Sequence, residues 1–245
     1  MNSHTSPDDL LINKVTVPNE FDKIARYYNL ATFLNQGYQK DLQRSVNRMQ
    51  LKGDEYVADL CCGTGKSTFS CLKNLLDGKV VGIDNSEEML HVARSKYATT
   101  DSSGKIKFMK MDVMNLDFPN KNLDAIFMAY GIRNMPDYKK CLKNLYRVIK
   151  PGGKICFHEY SLKEKFLYKL YWKFIGYVIV IPFSTVITRN TSIFRYLVKS
   201  VLEFPSPSKF LALLNEIGFE NCKRLPQKSW RRPILHTFVA TKPIT

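Results

Sequence analysis

Short apolar runs alternate along the chain with segments whose apolar residues recur every three or four positions. Val57, Ala58 and Leu60 form a run suited to a strand buried on both faces. Runs of the same kind recur at Lys79–Asp84, Ile106 onward, Leu123–Ala129 and Ile155–Tyr160. Between them the helical period predicts helices over Asn19–Met49 with a break near Gly37, over Ser67–Leu76, from Ser86, and over Tyr138–Ile149 up to Pro151-Gly152-Gly153. A further helix is predicted from Ser206 to a stop at Gly218, with strands over Glu220–Leu225 and Ile234–Thr241. This rhythm predicts an α/β fold, a Rossmann-like, doubly wound and mostly parallel sheet with helices on both faces. Ligands of such sheets bind at the carboxyl ends of the strands.

At the first of those ends the chain reads Asp59-Leu-Cys-Cys-Gly63-Thr64-Gly65-Lys66-Ser67. A phosphate-binding P-loop ending at Gly65-Lys66-Ser67 needs a glycine where Leu60 stands. A dinucleotide fingerprint needs a third glycine where Thr68 stands, a bulky residue for close helix packing. The remaining pattern, Asp59-x-x-x-Gly63-x-Gly65, resembles the first motif of S-adenosylmethionine-dependent methyltransferases. An acid beside the turn suits a cationic ligand with an amino-acid end and repels a pyrophosphate.

Asp84 ends the second strand about 20 residues past the turn, where a carboxylate can accept both ribose hydroxyls of a nucleoside. Met89, in the helix that Ser86 caps, could touch an adenine edge or serve as core. Asp112, after the third strand, could bind an adenine amino group or simply hold a turn. Asp59, Gly63, Asp84, Asp112 and the segment Ala129–Asn134 thus all fall at strand ends.

Charge changes the picture beyond the fifth strand. Of the net +15, residues 160–245 carry 14 Lys and Arg against 4 Glu and no Asp. Such a surface suits anionic lipid, nucleic acid or an acidic partner, or is simply solvated. Aromatic and apolar residues from Ser161 to Ser200 mark an insertion, about 161–205, that could line a greasy channel, rest on a membrane or pack as core. Its most apolar run, Phe174–Ile181, is bracketed by Lys169, Lys173 and Pro182 and is too short for a bilayer span. The six cysteines form no C-x-x-C pair, which predicts free buried thiols, no metal site and a reducing compartment. Residues 1–18 are expected to be a flexible tail without a secretory signal, followed by one domain over 19–245.

Particular motifs narrow the reading. Phe21-Asp-Lys-Ile-Ala with Tyr28, Asp59–Gly65, Gly82-Ile-Asp84 with Met89-Leu90, Gly131-Ile-Arg-Asn134, Tyr146–Gly153 and Phe194-Arg-Tyr-Leu-Val with Ser200 resemble the ubiquinone/menaquinone biosynthesis C-methyltransferase (UbiE-like) family. The resemblance implies a class I methyltransferase fold with N-terminal helices and S-adenosylmethionine as cofactor. Its contacts would be Thr64 and Asp84, with Asp112 and Val113 at the adenine and Ala129 where the family often has serine. Arg133 and Asn134 match the family's substrate-side pair and Tyr28 an active-site tyrosine, with His236 and Glu159 as reserve bases. Gln39-Lys40, Asn29 and the surroundings of Leu235-His236 depart from the family pattern on the substrate side. The implied reaction is C-methylation of a hydroquinone with a polyprenyl tail, in the cytoplasm or peripheral to an anionic membrane, with a homodimer as a candidate assembly. Methylation of RNA or a phospholipid head group, and non-catalytic cofactor binding within a biosynthetic complex, are the rival expectations. The apolar insertion argues against nucleic acid.

Overall fold

The computed structural model describes residues 14, 37–98, 104–188 and 191–244. Seven strands form one sheet: β1 (Tyr56–Leu60), β2 (Lys79–Asp84), β3 (Ile106–Lys110), β4 (Leu123–Ala129), β5 (Ile149–Tyr160), β6 (Glu220–Pro226) and β7 (Leu235–Thr241). Their order is β3-β2-β1-β4-β5-β7-β6. The first five are parallel, and β7 runs antiparallel to both β5 and β6. The doubly wound, mostly parallel sheet expected from the apolar rhythm is therefore present, and the chain order reverses direction across the sheet between β1 and β4.

The pleat sends alternate residues to two faces. Val57, Val80, Ala125, Phe127 and Cys156 pack beneath helices α1 (Tyr38–Asn47) and α2 (Lys66–Leu72), against Leu42, Val46 and Cys71. Ala58, Val81, Ile126, Met128, Ile155 and Phe157 face α4 (Tyr138–Val148) and α8 (Pro207–Ile217), whose Leu142, Leu145, Phe210 and Leu214 are fully buried. Helix α3 (Glu87–Tyr97) starts at Ser86, whose Oγ accepts from the Met89 N–H at 3.1 Å, with Glu87 and Glu88 in its first turn. Helix α2 ends at Leu72, short of Leu76, and β5 begins at Ile149, because the Pro151-Gly152-Gly153 bend is absorbed as an irregularity in the β4–β5 pairing.

The insertion departs from a core reading. Helix α5 (Phe166–Phe174) runs through a wider π segment (Ile175–Val180) into α6 (Ile181–Thr188), and α7 (Ser192–Glu203) packs against it. Trp172 and Ile175 face inward, and the Trp172 Nε1–H donates to the Val198 carbonyl at 3.1 Å. Phe166, Leu167, Leu170, Phe174, Val178, Ile179, Phe183 and Val186 are all more than half exposed. Because the helix continues on both sides of Phe174–Ile181, the longer stretch Phe166–Phe183 passes for a bilayer span by length and composition only.

One residue of the expected tail is described. Lys14 is buried, and its ammonium donates to the Met135 carbonyl at 3.0 Å and the Tyr138 hydroxyl at 2.8 Å. The rest of the expected tail, and the expected helix before Gly37, lie outside the described residues. The cysteines in the described residues are free thiols, four of them buried.

Candidate active site

The β1–α2 turn is built on left-handed backbone. Gly63 and Gly65 have φ of 53° and 79°, and Cys61 reaches 55° without being glycine. The Gly63 N–H donates to Asp84 Oδ2 at 2.8 Å, and the Ser86 N–H donates to Asp84 Oδ1 at 2.9 Å. One carboxylate thus ties the turn after β1 to the turn after β2. A Cβ on Gly63 would meet nothing within 4 Å, because this face looks into open space. A Cβ on Gly65 would lie 2.7 Å from Tyr97 Cε2, so this glycine makes room for an aromatic ring beneath the turn.

The open space is a cavity of about 320 Å³. Asp84 and Asp112, with Met89 and Val113, line the part over β2 and β3; Gly63 and Thr64 form the floor; Ala129, Tyr130 and Asn134 line the part over β4. Tyr38 from α1, Lys66 from α2 and Lys14 complete the wall. Burial lowers the Lys14 and Lys66 pKa to about 8 each. Asp112 also holds its own turn, accepting from the Met114 N–H at 2.9 Å and from Asn115 Nδ2 at 3.1 Å. Asn134 Nδ2 donates to the Tyr130 carbonyl at 3.2 Å, while its Oδ1 accepts from the Tyr196 hydroxyl at 3.2 Å.

Of the residues singled out from sequence, Gly63, Thr64, Asp84, Met89, Asp112, Val113, Ala129 and Asn134 share this one cavity. Asp59, Gly65 and Arg133 are not on its wall. Asp59 is fully buried under α2, where Oδ2 accepts from Ser67 Oγ at 2.7 Å and Thr68 Oγ1 at 2.6 Å. Desolvation there raises its pKa to about 7, although both hydroxyls lower it. Arg133 is turned inward to Glu159. His236 is buried against the Ser161 carbonyl, also away from the cavity. Tyr28 and Asn29 lie outside the described residues. Lys14, Tyr38 and Lys66 were missed, and Tyr130 was placed at the strand ends only as part of the segment Ala129–Asn134, with no role of its own.

A buried parallel sheet with a carboxylate-bearing cavity at its strand ends defines a protein of the class I methyltransferase fold. The model of the ubiE/COQ5 methyltransferase family matches residues 10–228, and the chain belongs to that family. It is 36% identical over 186 residues, 74% of this chain and 77% of the relative, to a demethylmenaquinone methyltransferase of Staphylococcus saprophyticus. It is 32% identical over 207 residues, 82% of this chain and 86% of the relative, to a ubiquinone/menaquinone biosynthesis C-methyltransferase of Geotalea daltonii. Among solved structures, a [4+2]-cyclase superposes with a TM-score of 0.71 at 14% identity, covering 94% of this chain and 96% of that one. A methyltransferase of Aquifex aeolicus gives 0.59 at 19% identity, covering 82% and 89%. Because the cyclase shares the architecture, the fold alone does not decide the chemistry.

Proposed function

We propose that this chain transfers a methyl group from S-adenosylmethionine to a ring carbon of a hydroquinone that carries a polyprenyl tail. The observation that carries this is the family match across residues 10–228, combined with a strand-end cavity lined by two carboxylates and two lysines. These residues fit the cofactor. Asp84 suits the ribose hydroxyls, Asp112 and Val113 an adenine edge, Met89 its apolar face and Lys66 a carboxylate, and the bare backbone of Gly63 leaves room for close approach. When bound, S-adenosylmethionine supplies an electrophilic methyl carbon on a sulfonium that departs as a neutral thioether. The acceptor carbon becomes nucleophilic when a neighbouring ring hydroxyl loses its proton, and restoring aromaticity releases the hydrogen on that carbon. Asn134 lines the cavity as a polar contact for the acceptor, and Arg133 works one layer behind as a positioning residue.

A long-tailed acceptor resides in lipid, and the exposed apolar face of α5–α6 supports docking of the chain on the cytoplasmic face of an anionic membrane. Lys163, Lys165, Lys169 and Lys173 on and before α5 supply matching positive charge. The test is transfer of an isotope-labelled methyl to a demethylated quinol, read by mass spectrometry. Retained binding of S-adenosylhomocysteine with no labelled quinone from either benzoquinol or naphthoquinol acceptors would sink the substrate assignment.

A further inference from the structure

We propose that the turn Ser229–Arg231, between β6 and β7, is a second membrane contact of this chain, in which the Trp230 indole lodges among lipid head groups and Lys228 and Arg232 pair with lipid phosphate; this rests on the reading of α5–α6 as a docking face. Register puts the turn beside that face. Tyr160, the last residue of β5, stands opposite Leu235, the first of β7, and the Ser161 N–H donates to the Ile234 carbonyl at 3.0 Å. The insertion therefore leaves the sheet where the β6–β7 connection enters it. Ile234 and Leu235 pack with Trp172 of α5 and Val198 of α7 in one buried cluster. One further bond fixes the neighbourhood: the Tyr171 hydroxyl donates to the Trp230 carbonyl at 3.2 Å. Tyr171 is one helical turn from both Leu167 and Phe174, so Trp230 adjoins the exposed apolar stripe of α5.

The indole is held from behind. The Arg231 guanidinium lies over the Trp230 ring, its Cζ 4.8 Å from the centroid. That guanidinium is itself buried and donates to Asp41 Oδ2 of α1 at 3.0 Å. Gly37 makes room for it, since a β-carbon there would collide with the guanidinium. The Ile234 N–H donates to the Arg231 carbonyl at 3.0 Å and the Gln227 N–H to the Leu235 carbonyl at 2.9 Å, which closes the turn on its hairpin. A ring carried on a paired, buried cation keeps its orientation before any partner arrives, so little side-chain freedom is lost on binding. Trp230 nonetheless keeps 46% of its surface exposed, whereas Trp172, the other tryptophan of the chain, keeps 1%.

Charge selects the partner. No acidic residue follows Glu220 in the sequence, and Lys228 and Arg232, two positions to either side of Trp230, are both exposed. Lys163, Lys165, Lys169 and Lys173 bring the same sign to α5. An indole, with an apolar body and one N–H, favours the level of the head groups, and cations beside it favour anionic lipid. A nucleic acid would leave Leu167, Leu170 and Phe174 in water, whereas a bilayer covers them and the indole together. The second contact has a consequence for orientation. A single helix lying flat on a membrane is free to roll about its axis; a contact on an adjoining element, off that axis, fixes the roll and with it the direction in which the strand ends face.

The natural chain carries its own reporter. Mixed with vesicles of phosphatidylcholine and phosphatidylglycerol, it is expected to show a blue shift of tryptophan emission and quenching by lipids brominated near the head group. Both signals come from Trp230, because Trp172 is already dry. Trp230→Ala is expected to weaken vesicle binding roughly tenfold. Lys228→Gln combined with Arg232→Gln should weaken it by a similar factor, and that difference should vanish in pure phosphatidylcholine or at high salt. A chain that co-sediments with the mixed vesicles while its emission neither shifts nor is quenched overturns this contact and leaves the α5–α6 docking standing. A shift that appears on raising the protein concentration without lipid, or only on adding RNA, assigns the turn to another partner and overturns the contact as well. No co-sedimentation at all overturns the docking reading and this contact with it.

Discussion

The Arg133 guanidinium donates to Glu159 Oε1 at 2.5 Å, with both side chains almost entirely out of solvent. The same nitrogen reaches the Tyr130 carbonyl at 3.1 Å, and Nε donates to Ser200 Oγ at 3.3 Å. Burial opposes the guanidinium charge, but the Glu159 carboxylate more than compensates, so the Arg133 pKa is raised. The arginine therefore pins the segment Tyr130–Asn134 to β5 and α7 from behind. Removing one partner strands a buried charge at a cost of about 3–5 kcal/mol, whereas replacing both by apolar groups costs far less. Arg133→Ala is expected to lower Tm sharply, and Arg133→Met combined with Glu159→Leu to recover much of it. If Arg133→Ala keeps wild-type Tm and turnover, the anchoring role is wrong.

Gly63 and Gly65 are both left-handed yet should fail differently. Gly63→Ala meets open cavity and pays only the backbone penalty, about 1–2 kcal/mol. It is expected to fold and to bind S-adenosylhomocysteine at least tenfold more weakly, because the methyl enters the cofactor space. Gly65→Ala drives its methyl into Tyr97 and should lose more stability than Gly63→Ala. Thermal melts with calorimetric titration of each variant decide the matter; equal stability losses would refute the distinction.

Asp59 makes stability depend on pH in an unusual direction for an acid. Its folded pKa, about 7, lies above its ordinary value because desolvation disfavours the charged form. The folded state then holds a proton that the unfolded state has lost, so this contribution is complete below about pH 4 and disappears as pH rises through about 7. Asp59→Asn, neutral at every pH, is expected to gain stability relative to the natural chain as pH climbs from 4 to 8. A Tm difference that stays flat across that range would contradict the burial argument.

The exposed face of α5–α6 should behave as a lipid-binding element separable from the fold. Replacing Leu167, Leu170 and Phe174 by Gln is expected to abolish co-sedimentation with vesicles containing anionic lipid and to leave Tm within a few degrees. Binding by the natural chain should weaken as salt rises, since Lys163, Lys165, Lys169 and Lys173 flank the stripe. A variant that still binds vesicles, or a natural chain that forms a stable dimer through this face and ignores lipid, would overturn the membrane assignment.

The amino-acid sequence alone determined the β/α rhythm, the glycine turn and the acids at the strand ends, because helical and extended periods are written in neighbouring residues. That is why Gly63, Asp84 and Asp112 could be placed together before any coordinates. Which strand-end side chains look into the cavity was decided by the tertiary structure. Pleat parity puts Asp59 on the same face as Val57, under α2, and Glu159 captures Arg133 from 26 residues away in sequence. Ser45, His158, Gln227 and Thr237 look like unrelated polar residues in the chain; β5–β7 register and the seating of α1 join them into a buried hydrogen-bond network behind Tyr130. The apolar residues of α5 and α6 read equally well as core or as surface, since a local pattern records how greasy a face is but not what, if anything, packs against it.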